Sequence, residues 1–279
     1  MIILGIDAGS SATKIAGLRG DGEILSVLRV KAGDPLTSLY GALGNYLTGN
    51  GLSLEDVGRV ALTGVGASYA NGDIFRLPTV RVDEFSASGA GALALSGQES
   101  ALVASMGTGT AFLWAERGKP AEHLCGSGIG GGTLGGLCKK LAGAERFETI
   151  RDLAARGDLS RVDLTIQDIT RNPAATLDPT LTAANFGNLA DDAAPADLTA
   201  GAVNLVLQAI GTMTVLACRS CGAKTAVLIG SVTALPQAPD NFRNFEKLYG
   251  IRYIIPENAP FATAIGAALH SLRERPLGG

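Results

Sequence analysis

The chain has 279 residues, 46% of them apolar and 5% aromatic, with 38 glycines and a formal net charge of −3. That suffices for one large core or two smaller ones, and the near-neutral balance without a basic block argues against nucleic-acid binding by phosphate neutralisation. Of the cysteines at 125, 138, 218 and 221, only Cys218-Arg219-Ser220-Cys221 has metal or redox spacing; lacking a second such pair, it points to two thiols near a helix end capped by Gly222.

Ile2-Ile3-Leu4-Gly5-Ile6 is a continuous apolar run and predicts a strand buried on both faces. Met1 leads into it without the basic region and cleavage site of a secretory signal, so the expectation is a reduced cytoplasmic protein. A small-residue turn from Asp7 to Thr13 follows, and Lys14 to Leu18 returns. Asp21-Gly22 marks a tight hairpin before a strand from Glu23 to Val30. Pro35 opens a helix reaching Leu47, Val57 to Leu62 is another strand, and a short one lies near Val80. Asp83 is placed to cap a small-residue helix from Glu84 to Leu95 that crosses toward a second domain. Ala101 to Met106 is again a buried strand, followed by Gly107-Thr108-Gly109 and a returning strand from Thr110 to Trp114.

The strand, small-residue turn, strand pattern therefore occurs twice, which implies a duplicated architecture. The expected division is 1–95 and 96–279, with the last helix free to pack back on the first part. Further helices are predicted near Thr133–Leu141, Arg146–Ala155 and Asp163–Thr170, before a Pro-, Asp- and Ala-rich connection around Thr182-Ala183-Ala184-Asn185-Phe186-Gly187. Thr199 to Ala217 carries no charge and approaches the length of a membrane span. Asn204, Gln208 and several Thr and Gly interrupt it, so it reads as a helix buried in the core or at a subunit interface, not in a membrane. A strand at Ala226–Ile229, a helix around Asn241–Leu248, a strand at Arg252–Ile255 and a helix from Pro260 close the chain. The alternation predicts an α/β fold whose halves share a cleft.

Two turns carry the chemistry. Backbone N–H groups reach phosphate oxygens only where side chains stay small, as Gly and Ser turns allow. Gly9, Ser10, Ser11, Thr13 and Lys14 follow one buried strand, and Gly107, Thr108, Gly109 and Thr110 follow another. Asp7, ending the first strand, suits Mg²⁺ held through water beside the phosphates of ATP. No G-x-x-x-x-G-K-[ST] occurs. Gly126-Ser127-Gly128-Ile129-Gly130-Gly131 matches GxGxxG, but Pro120 to Cys125 is a poor buried strand, which argues against a dinucleotide site. The run Gly130-Gly131-Gly132 leads into a helix and could present N–H groups to an anion or substrate.

In this order the GIDAGSSATK start, Val82-Asp83-Glu84-Phe85, Gly107-Thr108-Gly109-Thr110 and the Gly126–Thr133 run resemble type II pantothenate kinases. Leu153-Ala154-Ala155-Arg156-Gly157-Asp158, Val162-Asp163-Leu164, Leu181–Gly187 and Ala264-Ile265-Gly266-Ala267 extend the resemblance over nearly the whole chain. It implies the two-domain actin/sugar-kinase fold, ribonuclease H-like and duplicated, with a nucleotide cleft between domains. It also implies a homodimer that phosphorylates the primary hydroxyl of pantothenate with MgATP, towards coenzyme A. By the same resemblance Glu84 is the general base, Asp7 serves Mg²⁺, and Gly230-Ser231 lies against the nucleotide. Thr108, Thr110, His123 and Thr182 fall on the acceptor side.

Two positions depart from that pattern: His123 stands where the family usually has an arginine, and Ala111 where a hydroxyl residue commonly follows the second turn. Neutral imidazole does not replace a guanidinium's permanent charge and bidentate geometry. A shifted surface loop and a changed acceptor site both account for His123. The rival functions are a kinase of a related hydroxyl amide, a catalytically weak nucleotide or acyl-CoA sensor, and an ATPase that activates a partner enzyme.

Overall fold

In the computed structural model, which describes residues 1–170 and 178–274, the chain forms two five-stranded sheets of the same topology. The first is built from β1 (Ile2–Ala8), β2 (Ala12–Arg19), β3 (Ile24–Lys31), β4 (Val57–Thr63) and β5 (Thr79–Arg81), in the order β3-β2-β1-β4-β5. The second takes β6 (Ser100–Met106), β7 (Thr110–Glu116) and β8 (Glu122–Ser127). After a two-stranded ladder of β9 (Leu164–Thr165) and β10 (Thr182–Ala184) it adds β11 (Thr225–Ile229) and β12 (Arg252–Ile254), in the order β12-β11-β6-β7-β8. In each sheet three strands pair antiparallel as hairpins and two more run parallel to the first. The pattern repeated in the sequence is the start of each sheet.

The apolar run of β1 is explained by helices on both faces of its sheet. On one side Leu39, Leu43 and Tyr46 of α1 (Pro35–Gly49) pack with Leu4, Ile6 and Leu62. On the other, Ala264, Ile265 and Ala268 of α8 (Ala262–Glu274) pack with Ile3, Ala16 and Leu18. Between α8 and the second sheet lies α2 (Glu84–Ser96), whose Ala92 and Leu93 meet Val103, Leu113 and Val227. The helix from the first half thus lies on the second sheet, and the last helix lies on the first.

Glycines set how closely α2 and α8 cross. A β-carbon at Gly91 would stand 1.9 Å from the Ala262 carbonyl oxygen, and one at Gly266 would stand 1.8 Å from that of Ala87. Beyond the second sheet lie α3 (Gly131–Ala142), α4 (Phe147–Ala154), α5 (Ile166–Ile169), α6 (Pro195–Cys221) and α7 (Ala238–Tyr249). Val203, Val206, Leu207 and Ile210 of α6 pack on Leu102, Phe112 and Leu228, so the apolar 27-residue helix is a core helix. It ends at Gly222, whose φ of 74° is the left-handed cap that glycine supplies.

Several boundaries differ from the sequence expectation. The helix expected over Asp163–Thr170 is instead β9 followed by the four-residue α5. Asp163 is the reason: its buried carboxylate accepts from the Phe186 backbone at 2.8 Å and from Asn204 Nδ2 on α6 at 2.6 Å, which ties the segment down in non-helical form. Thr165 and Asp168 then form a capping box that starts α5 late. The stretch from Pro120 holds β8, an edge strand whose side chains are half-buried or exposed, so it lacks a buried strand's apolar run. α7 starts at Ala238, and Pro260 belongs to a 3₁₀ turn before α8. Part of the Pro- and Ala-rich connection, 171–177, lies outside the described residues.

Candidate functional site

The duplicated topology brings the β1–β2 and β6–β7 turns face to face. Ser10 Oγ and Thr108 Oγ1 lie 2.9 Å apart, and Thr108 also donates to Ser11 Oγ at 3.3 Å. A cleft of about 340 Å³ runs beside this bridge. Its wall brings together Asp7, Gly9, Ser10, Ser11 and Lys14 from the first turn, Gly107, Thr108, Gly109 and Thr110 from the second, then Glu84, Gly230 and Ser231. Gly230 takes φ 95°, and a β-carbon there would stand 2.4 Å from the Met106 carbonyl oxygen. Its N–H donates to Ala259 O, so its use at the site is close approach.

At the base of the cleft Lys14 Nζ donates to Asp7 Oδ2 at 3.3 Å, both side chains almost fully buried. A buried carboxylate beside one cation fits a Mg²⁺ held mainly by water and phosphate oxygens. Among the described residues no cluster of three or more His, Cys, Asp or Glu forms a closed metal cage.

Glu84 opens α2, directly after the Asp83 cap, whose carboxylate accepts from Ser86 N at 2.8 Å. Glu84 is exposed, but the concave wall takes some of the water from around its carboxyl. That partial desolvation pushes its carboxyl above the usual carboxylate range. The Asp7 carboxylate adds to the push, Lys14 opposes it, and Asp83 contributes a smaller rise. A carboxylate so placed can accept a proton from a hydroxyl in the cleft.

Not every predicted site residue reaches this cleft. Thr13 is buried behind the first turn and lines a cavity with Ala32, Pro35 and Tyr69 that meets the cleft at Gly9, Ser10 and Val65. Gly131 and Gly132 donate their N–H groups to the carbonyls of Gly107 and Thr108, both at 2.8 Å. With Gly130, which packs against Thr108 and Gly109, they brace the second turn. Thr182 lies in another cavity, accepting from Asn204 Nδ2 at 3.0 Å and donating to Asp163 at 3.4 Å. His123 is exposed on β8 outside the cleft, stacked on Phe85, which lines it.

Gly64, Val65 and Gly66, which were not among the expected site residues, also fold over the first turn. A β-carbon on Gly64, with φ 87°, would meet Asp7 Oδ1 at 2.7 Å. A Gly-x-Gly directly after the β4 strand was the available signal. A second cavity of about 520 Å³ adjoins the cleft through Ser11, Gly107 and Ser231 and is lined by Gly131, Leu134 and Phe147. Arg29 of β3 lies over the Phe147 ring, 5.2 Å from its centroid, across this cavity. Cys218 is fully buried in the last turn of α6, and burial pushes its thiol up to about 12; it is a packed thiol, poorly suited to ligate a metal.

The Fumble family profile matches residues 99–237. The chain is 31% identical over 226 residues to a type II pantothenate kinase of Staphylococcus epidermidis, covering 77% of this chain and 84% of that protein. In fold it is similar to the activator of the 2-hydroxyisocaproyl-CoA dehydratase from Clostridium difficile with bound ADPNP. The TM-score is 0.69 at 18% identity, over 98% of this chain and 95% of that one. It is also similar to a ROK family glucokinase from Streptomyces griseus in complex with glucose and AMPPNP, with TM-score 0.60 at 14% identity over 97% and 99%. The fold is therefore that of the actin and sugar-kinase ATPases.

Proposed function

The chain belongs to the type II pantothenate kinase family, and we propose that it transfers the terminal phosphoryl group of ATP to the primary hydroxyl of pantothenate, the first step towards coenzyme A. The observation that carries this is Glu84, a carboxylate with a raised proton affinity standing in the wall between two facing phosphate turns.

Phosphoryl transfer passes through a loose transition state, so positioning and charge stabilisation do most of the work. The turns at Gly9–Ser11 and Gly107–Gly109 orient the triphosphate with their backbone N–H groups, and Lys14 offsets charge gathering on the transferring oxygens. Glu84 takes the hydroxyl proton as the oxygen closes on phosphorus, while ADP departs on the opposite side. Mg²⁺, when bound near Asp7 through water, supplies further neutralisation of the phosphate oxygens. On the same reading the enzyme is a cytoplasmic homodimer, which sedimentation of the purified protein tests.

The direct experiment follows ADP from purified protein with and without pantothenate and Mg²⁺. ADP release should require both, and Glu84→Gln should lower kcat by about 10²-fold or more, the scale of a lost general base. Equal ADP release without any acceptor would sink the pantothenate assignment. An unaltered rate in the Glu84→Gln variant would remove that residue as base.

A further inference from the structure

The ring of His123 lies parallel to that of Phe85, with centroids 4.7 Å apart and planes 8° apart. Phe85 directly follows Glu84 in the first turn of α2. The N–H groups of a first turn have no partners within the helix, so that turn is held only by its cap and its side-chain contacts. Here Asp83 supplies the cap, and the exposed Phe85 side chain rests under His123. Deeper in α2, Ala87 and Gly91 are locked against the α8 backbone at Gly266 and Ala262. The close crossing with α8 therefore begins at Ala87, past Glu84 and Phe85.

The geometry of the stack decides how His123 is used. A flat stack engages the face of the imidazole with Phe85. Its Nε2 lies 3.6 Å from where a β-carbon of Gly126 would sit, so that nitrogen points along β8. β8 itself is anchored through its ladder with β7, where His123 pairs with Leu113. The imidazole is thus a plate fixed to the second sheet that bears on the first turn of α2.

We propose that His123 is a positioning residue for Glu84: by stacking on Phe85 it holds the first turn of α2, and with it the carboxylate, where the acceptor's proton is taken. This rests on Glu84 acting as base. The ring face, not the ring nitrogens, performs the role, so a phenyl ring replaces it and a methyl group does not.

The test compares wild type with His123→Ala, His123→Phe and Glu84→Gln. Steady-state kinetics with pantothenate should show kcat about tenfold lower in His123→Ala, with both KM values within about twofold of wild type. His123→Phe should stay within about twofold of wild type in all three constants. Amide hydrogen exchange over Phe85–Ala87 reads the clamp without any acceptor: it should quicken in His123→Ala and stay at the wild-type rate in His123→Phe. If His123→Phe is as impaired as His123→Ala, or the loss falls on the pantothenate KM, the role belongs to the ring nitrogens and the proposal is overturned. Unchanged exchange in His123→Ala overturns it whichever acceptor the enzyme uses. Full turnover in Glu84→Gln instead removes the base assignment, a failure visible separately from that of the clamp.

Discussion

Glu84 is held where its ionised form is disfavoured, and that has a consequence for stability with a definite sign. Its carboxyl lies above its unfolded value because of desolvation first and the Asp7 charge second. Below the unfolded value it is protonated in both states and contributes no difference. As pH rises through the unfolded and then the folded value, ionising it in the folded state lowers stability. Glu84→Gln escapes that loss, so the melting temperature of the variant relative to wild type should rise as pH climbs from the ordinary glutamate value, about 4, to above the raised folded one, as scanning calorimetry would measure. A difference that stays flat or shrinks over that range contradicts the raised carboxyl. Glu84 itself is readable in the sequence as an acid after a helix cap, because capping is local. Its perturbation is not, since Asp7 and Lys14 reach it only through the fold. Thr182 shows the converse: it looks like a polar site residue in the chain, yet Asp163 and Asn204 draw it into a separate network.

The element that carries Glu84 is positioned by its crossing with α8. The β-carbon of an alanine at 266 would fall 1.8 Å from the Ala87 carbonyl oxygen and 2.6 Å from the Gly91 nitrogen, backbone atoms that can yield only if the helices part. Helix propensity favours Gly266→Ala by about 1 kcal/mol, while overpacking of this kind costs about 1–3 kcal/mol and more when backbone is the obstacle. The collision wins: Gly266→Ala should lower the unfolding free energy by about 2 kcal/mol in urea titration, with kcat falling as α2 shifts. A neutral or stabilising result would show that the two helices separate freely. The small-residue character of α2 is plain in the sequence, but it leaves open whether a helix is merely loose or crossed tightly, since the partner backbone lies at the far end of the chain. The β2–β3 hairpin and α1 were legible because Gly22 and Pro35 act within a few residues. β9 and α5 were not, because Asp163 is satisfied by Phe186 and Asn204, residues that no local pattern connects to it.

At the scale of the molecule two sheets of one topology face each other across the cleft, and side-chain contacts among the described residues reach across its open side. Ser10 meets Thr108 beside the phosphate turns, and Arg29 meets Phe147 across the adjoining cavity. The repeated strand-turn-strand pattern announces the two sheets and the paired turns. It gives no hint of Arg29, which reads as an ordinary exposed position on the edge strand β3. The adjoining cavity opens onto the phosphate turns through Ser11, Gly107 and Ser231, so the rest of the nucleotide has room there. Arg29 closes over that space from the opposite half. An exposed cation–π contact is worth about 0.5–1 kcal/mol. If closure over the nucleotide uses it, Arg29→Ala should raise the ATP KM by about two- to fivefold, the same energy expressed as affinity. kcat and the acceptor KM should hold, because Glu84 and the turns are anchored by other contacts. Arg29→Lys keeps the charge but not the flat stacking surface and should fall between the two. Steady-state titration of ATP at saturating acceptor separates the outcomes: an effect confined to kcat would place Arg29 in the chemistry, and no effect would leave the two halves free of this contact when nucleotide binds.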